Sequence, residues 1–432
     1  MREALAGLTT RGRAFVAAGV TAVVCAVLLG QPALTRVGVL VTAVPLVTTY
    51  VLGRARYRLA LVRTVTPQVV PAGQPAQVHL DVTNEGRTPS GVLLLEDRIP
   101  YVLGSRPRFV LDGIRHGWRR RVGYQVRSDV RGRFEIGPMT VRVSDPFGMV
   151  EVGRAFHSIT PLVVTPRVVP LPVVPLEGAW NGSGDNRPRA FAGGSAEDVT
   201  VREYRQGDDL RRVHWRSSAR MGELMVRREE QPWQQRATVF LDQRIRAHAG
   251  QGLASSLEAA VQAAASVVVH LTDRGYAVRL VTASGEEEVP PWHARGGRGS
   301  DSLPLLEALA VVQPSDHLRI DTSWMAEHGR GDLVVAVLGA VADTDLAVLR
   351  RVHGHASAAV AVVLDVLGWA SARGSDRSAA EALAAQGWRT TGWSHGERLD
   401  VAWERLGARP GAARVAGGAH LDAAAGATGG AR

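Results

Sequence analysis

Two apolar runs open the chain, residues 14–30 and 37–52, separated by a few residues that include Arg36. Each lies near the lower end of the roughly 17–25 residues that a helix needs to cross a bilayer. Arg2, Arg11 and Arg13 resemble the basic start of a signal peptide. A second apolar run so soon after the first favours a helical hairpin instead. Pro45 fits that reading, because membrane helices tolerate proline better than soluble ones do. From 59 to 170 the pattern changes to short segments of alternating apolar and polar residues. AQVHLDVTNEG, VLLLEDRIP, RRVGYQVRSDVRGRFEIG and MTVRVSDPFGMVEVG are punctuated by Gly, Pro, Asn and Asp. That spacing predicts an antiparallel β-sandwich of immunoglobulin-like size. Asp145-Pro146-Phe147-Gly148 reads as a tight turn closed by a buried Phe.

Residues 171–200 are dense in Pro, Gly, Asn and Ser and read as a surface connector. Beyond 236 the period changes again. ATVFLD, AVRLVTA, DLVVAVLGA and AAVAVVLDV are continuous apolar runs, hence strands buried on both faces. They alternate with helical patterns: GLASSLEAAVQAAASVVVHLTDRG stopping at Gly275, DSLPLLEALAVV, DTDLAVLRRVHGHA and RSAAEALAAQG. Strands alternating with helices predict a doubly wound parallel sheet, with its ligand position beyond the carboxyl ends of the strands. The expected organisation is a transmembrane hairpin at 1–58, a β-sandwich at 59–170 and a connector with a charged block at 171–235. An α/β unit at 236–408 and a disordered, low-complexity tail at 409–432 follow.

Composition changes this picture little. The net charge of +10 invites an acidic partner, but all 51 basic residues are Arg and none is Lys, as a GC-rich coding sequence would produce. The arginines are spread along the chain, whereas a nucleic-acid footprint gathers them on one face, so nucleic acid is not the expected partner. Cys25 is the only cysteine, which leaves neither a disulfide framework nor a thiolate metal site. Arg11 and Arg13 precede the hairpin, and Arg54, Arg56, Arg58 and Arg63 follow it. The positive-inside bias then puts both ends, and the soluble units, in the cytoplasm of a multi-pass membrane protein.

The chemistry concentrates in residues 201–230, VREYRQGDDLRRVHWRSSARMGELMVRREE. Glu203, Asp208, Asp209 and His214 have the residue types of acid–base catalysis or of a His-carboxylate metal site. Ser217 and Ser218 lack a G-x-S-x-G elbow, and the Gly193-Gly194 stretch lacks the Gly-Lys-Ser/Thr of a phosphate loop. The alternative is an internal network. Arg202, Arg205, Arg211, Arg212, Arg216 and Arg220 would fork onto Glu203, Asp208, Asp209 and Glu223, with Trp215 as a stacking face. Gly207 and Gly222 would supply the turns. The segment would then lock against the α/β unit as an added edge element or short helix. Scaffold and docking surface remain equally open at this level.

Taken in order, the hairpin, the β-rich region with RGRFEIGP and DPFG, the REYRQGDDLRRVHWRSSARMGELMVR block and the doubly wound region resemble the DUF58 family. The resemblance implies a bacterial membrane protein without established enzymatic activity, carrying a von Willebrand factor A-like domain. It also implies a MoxR-type AAA+ ATPase as partner, in assembly or maturation of other proteins. Arg202, Glu203, Tyr204, Gly207, Asp208, Asp209, Arg212, His214, Trp215, Ala219, Arg220 and Gly222 are the motif positions expected to interact. The rival expectation is a hydrolase or metal-dependent enzyme using Asp208, Asp209 and His214. A von Willebrand A domain often holds Mg²⁺ through Asp-x-Ser-x-Ser after its first strand. Here Asp242 is followed by Gln243, Arg244, Ile245 and Arg246, so Asp242 is only a weak candidate ligand and no cofactor is expected. Asp332 opens its strand at the wrong end, while Thr344 or Asp345 would be better placed.

Overall fold

The computed structural model of the chain describes residues 7–54, 59–86, 92–112, 115–145, 147–176, 201–204, 213, 215–227, 235–285, 301–326, 331–370 and 377–407. The expected tail at 409–432 lies outside them. Two helices, α1 (Thr10–Leu28) and α2 (Pro32–Arg54), pack along each other as a hairpin. Nineteen residues in α1 span about 28 Å, close to a bilayer's hydrocarbon thickness. Pro45 sits inside α2, and the Thr49 hydroxyl donates to its carbonyl at 2.6 Å. The helices meet through Gly19 and Gly38, where an added Cβ would fall 2.8 Å from the backbone nitrogens of Thr42 and Val23, respectively. Both helices are apolar and long enough to cross a membrane.

Ten strands follow: β1 (Leu59–Thr66), β2 (Val69–Pro71), β3 (Pro75–Asn84), β4 (Val92–Asp97), β5 (Arg108–Leu111), β6 (Arg119–Arg127), β7 (Gly132–Ile136), β8 (Met139–Ser144), β9 (Glu151–Phe156) and β10 (Thr160–Thr165). They form three sheets, in the orders β1-β3-β6, β2-β10-β7 and β5-β4-β8-β9. Alternate residues of these sheets, among them Val78, Leu80, Leu93, Leu95, Val141 and Leu162, fill one apolar core. Inside it, Arg63 is stitched to Asp97 (Nη2–Oδ1 2.6 Å) and to the Ile136 and Ser158 carbonyls, while the Tyr124 hydroxyl donates to Asp97 at 2.6 Å. This fully enclosed pair joins β1, β4, β6 and the end of β7.

The sequence places a buried Phe in the turn after β8, and the structure corrects this: Phe147 is 62% exposed. The Asp145 carboxylate closes the turn instead, accepting from the Phe147 and Val150 backbone N–H groups at 3.1 and 2.7 Å. With Asp145 filling the inside, the ring points away.

The α/β unit is a five-stranded, all-parallel sheet in the order β14-β13-β15-β16-β17. Its strands are β13 (Arg236–Leu241), β14 (Ala277–Thr282), β15 (Leu333–Leu338), β16 (Ala358–Leu364) and β17 (Arg389–Trp393). The main helices are α4 (Ser256–Thr272), α5 (Leu303–Val311), α6 (Asp343–His355) and α8 (Ser378–Ala385), with short α7 (Val366–Trp369) and α9 (Leu399–Glu404). The apolar runs occur because both faces are covered: Val239, Leu241, Val335 and Val337 face one core, and Phe240, Val334, Ala336 and Leu338 the other.

Residues 168–176, read from sequence partly as surface connector, run instead along this unit. Val174 and Leu176 are buried in its core, and the Val169 N–H donates to Ser266 Oγ at 3.0 Å. Their apolar side chains outweigh the Pro-rich spacing. Arg131, first residue of the RGRFEIGP motif, also ties the β-unit to the α/β unit. Its guanidinium donates to the Leu309 and Val312 carbonyls at the end of α5 (3.0 and 2.6 Å) and pairs with Glu258 of α4.

Candidate functional site

In a sheet with the order 2-1-3-4-5, the connections part company beside the first strand, and the crevice there is the usual ligand position. Here that point lies beyond the carboxyl ends of β13 and β15. The chain leaving β13 reads Asp242-Gln243-Arg244-Ile245-Arg246, and the loop after β15 leads into α6 with Asp345 in its first turn. Three charges converge. Arg244 donates from Nε and Nη2 to Asp242 at 2.9 and 2.7 Å, and from Nη1 and Nη2 to Asp345 at 2.9 and 3.0 Å. The last Nη1 hydrogen faces the Leu318 carbonyl at 3.5 Å. The Arg244 and Asp242 side chains are wholly removed from solvent. Arg246, at the rim, adds a second guanidinium to Asp345 at 3.1 Å. Two carboxylates and two guanidiniums leave the cluster neutral, which is what a buried charge group requires.

Burial works against the protonated Arg244, yet the hydrogen bonds it donates to Asp242 and Asp345 overcome it and raise its pKa. At Asp345, burial pushes the pKa up, but the bonds from Arg244 and the Ala342 N–H hold it below the ordinary carboxylate range. His248 extends the network. Its Nε2 lies 2.6 Å from the Asp242 carbonyl and its Nδ1 3.0 Å from Ser256 Oγ. A carbonyl can only accept, so Nε2 carries the hydrogen and the Ser256 hydroxyl donates to Nδ1. Burial lowers the His248 pKa and leaves the ring neutral near pH 7.

This geometry bears on the weak candidate Asp242. A Mg²⁺ at this edge would need the carboxylate oxygens that Arg244 occupies, plus hydroxyls where Arg244 and Arg246 stand. The residues do not fit a divalent cation, because a tethered guanidinium fills its place. Among the described residues no group of three or more His, Cys, Asp or Glu is arranged to hold a metal. In the sequence Arg244 reads as a departure from the Asp-x-Ser-x-Ser pattern, whereas in the structure it is itself the occupant. The Asp-x-Arg spacing after a buried strand is the signal that could have revealed it. Asp345 stands where the sequence predicts a partner for Asp242. Asp332 lies at the opposite end of the sheet, paired with Arg236 at 3.2 Å.

The charged block is built differently. Gly207, Asp208, Asp209, Arg212 and His214 lie outside the described residues, as do Arg205 and Arg211. Arg202 and Glu203 belong to β11 (Val201–Glu203), which pairs antiparallel with β12 (Met225–Arg227), and Tyr204 follows with its N–H on the Leu224 carbonyl at 2.8 Å. The pair stands as a two-stranded sheet of its own rather than as an added edge of the parallel sheet. Between the strands lies a short helix, α3 (Trp215–Met221), with no buried residue. Gly222 ends it in the left-handed region (φ +78°), and the Ser218 hydroxyl accepts from the Met225 N–H at 2.8 Å. Trp215 is 69% exposed and Met221 67%. Arg216, Ala219, Arg220 and Glu223 are exposed too, and Arg216, Arg220 and Glu223 form no ion pair with another described residue.

No curated protein matches the chain. Among solved structures, the CARDB domain of the PF1109 protein from Pyrococcus furiosus is similar at 14% identity, covering 26% of this chain and 91% of that one, with a TM-score of 0.19. The ApaA protein from Bordetella pertussis is similar at 16% identity over 25% of this chain and 94% of its own, with a TM-score of 0.19. A likeness at that level carries no argument about function. Residues 200–366 match the family model described as a protein of unknown function, DUF58. That match takes in both the charged block and the switch point of the sheet, so the chain carries a DUF58 region.

Proposed function

We propose that this protein is a non-enzymatic adaptor anchored in the cell membrane by its helical hairpin. Its β-unit is immunoglobulin-like, its parallel sheet von Willebrand A-like, and its soluble units face the cytoplasm. There it works with a MoxR-type AAA+ ATPase in the assembly or maturation of other proteins. The observation that carries this reading is Arg244. The position where a doubly wound sheet takes its ligand is filled by the chain's own side chain, so what the unit offers a partner is outer surface. The α3 helix supplies such a surface, with exposed Trp215 and Met221 among arginines and nothing packed over them among the described residues. Exposed Trp and Arg are the side chains that most often anchor an interface.

The test is co-purification of the detergent-solubilised full chain with a MoxR-type ATPase from the same organism, comparing wild type with Trp215→Ala and Met221→Ala. Capture should fall about tenfold with Trp215→Ala, the effect of losing one anchor, and less with Met221→Ala. Undiminished capture by both variants, or no capture by the wild type, defeats the reading.

A further inference from the structure

We infer that Phe147–Met149, in the turn after β8 of the β-unit, is a seat on the lipid bilayer, with Phe147 inserted at the membrane interface. The inference rests on the reading of the hairpin as a membrane anchor and adds a contact that the anchor alone does not require. A single exposed Phe means little by itself. This one is held at the place where the chain enters the membrane helix. The Thr9 hydroxyl caps α1 and also donates to the Gly148 carbonyl at 2.7 Å, and the Thr9 N–H donates to the Met149 carbonyl at 2.9 Å. Leu8 bridges to Val150, and the Glu151 N–H donates to the Gly7 carbonyl at 2.8 Å. The contact is tight: a Cβ on Gly12 would overlap the Met149 carbonyl. The turn is therefore fixed to the first turn of α1, at the boundary between headgroups and hydrocarbon.

The turn is also rigid. The Asp145 carboxylate accepts the backbone N–H groups of Phe147 and Val150, and the Gly148 N–H donates to the Asp145 carbonyl at 3.0 Å. Gly148 adopts φ +67°, so the ring is presented outward by a braced loop. One helical turn deeper on the face of α1 that meets this turn lies Phe15, 44% exposed, which continues the apolar surface into the lipid-facing helix. Arg11 and Arg13 stand at the same level and suit the phosphates of anionic lipid. An aromatic ring beside basic side chains at the end of a membrane helix is the composition of an interfacial anchor. The seat would hold the β-unit against the bilayer and, through Arg131, fix how far the α/β unit stands from it.

The full chain is reconstituted into vesicles of neutral and anionic phospholipid and carries one nitroxide label at a time. The sites are native Cys25 in α1, Phe147→Cys in a Cys25→Ser background, and Leu318→Cys in the same background. Collision with oxygen, which concentrates in lipid, is compared with collision with a water-soluble nickel chelate. Labels at 25 and 147 should meet oxygen in preference to the chelate, with chelate collision at 147 several-fold below that at 318. A label at 147 as water-exposed as that at 318, while 25 stays in lipid, overturns the seat and leaves the anchor standing. Water-like behaviour at both 25 and 147 overturns the anchor and the seat together.

Discussion

The helix Trp215–Met221 and the turn Asp242–Arg246 sit in the same family segment and both draw on arginine, yet they are built in opposite ways. In the turn, one guanidinium is enclosed between two carboxylates, and its donors all face acceptors. In the helix no side chain is buried, and Trp215, Arg216, Ala219, Arg220 and Met221 lie open to solvent. By sequence alone the turn is plain, and the helix has the residue types of a site. What separates them is topology: β13 and β15 run side by side in the middle of a sheet covered on both faces, so any charge at their ends is dehydrated and must be matched. The helix sits in a two-stranded excursion outside that sheet, and among the described residues nothing buries it. Charge density along a chain is thus a poor guide to where electrostatics hold a fold together.

The largest effect should come from breaking the enclosed cluster. Arg244→Ala leaves Asp242 and Asp345 buried, with Arg246 on Asp345 alone among the described residues. Removing one partner of a buried pair costs about 3–5 kcal/mol. Thermal or denaturant unfolding of the detergent-solubilised full chain should show a loss of that size. Arg244→Met combined with Asp242→Leu should recover part of it, because a buried pair replaced by well-packed apolar groups is often close to neutral. A loss below about 1 kcal/mol for Arg244→Ala would mean that the cluster is not what holds this edge closed.

How much of this was legible in the chain follows the same division. Period and length predicted the hairpin, the short strands and most of the α/β alternation, because each depends on where apolar residues recur. Gly222 and Gly275 were placed correctly as turn and stop residues, and both adopt positive φ. What local pattern could not show was partnership at a distance. Arg244 and Asp345 are joined across 101 positions, and Arg131 reaches α5 across 178. Phe147 departs from its expected burial for a related reason: which side of a tight turn is filled depends on Asp145, whose carboxylate takes the inside. The residues at 168–176 were misread because a Pro-rich spacing gives no weight to Val174 and Leu176, which find a core. The middle of the charged block, Gly207 to Arg212 with His214, lies outside the described residues, and its part in the comparison rests on its flanks.

An intermediate effect should appear in the pH dependence. His248 binds the Asp242 main chain as a neutral ring, with burial lowering its pKa below the ordinary value of about 6.5. The unfolded chain takes up a proton through that value while the folded chain does not. Stability is therefore full above about pH 6.5 and falls as the pH drops below it. His270 shifts the same way, burial first among the causes, so the wild type carries both contributions. His248→Gln should flatten the slope between about pH 6.5 and 5, at some loss of stability at neutral pH. An unchanged slope would place His248 in contact with water.

The smallest effect should come from the helix, and its smallness is informative. If Trp215, Arg216 and Arg220 formed the internal lock that their sequence suggests, removing them would strand buried carboxylates and cost several kcal/mol, as at Arg244. If they are a surface held ready for a partner, Trp215→Ala and Arg220→Ala should each change stability by no more than about 0.5 kcal/mol. The same unfolding measurement decides between these, because Gly222 and the Ser218–Met225 bond keep the helix in place without the variant side chains. Stability within that margin, together with lost ATPase capture by Trp215→Ala, would separate recognition from folding at this block. A loss of about 2 kcal/mol or more would instead mean that the exposed face is covered within the protein. The contrast between the two regions would then be one of visibility rather than of construction.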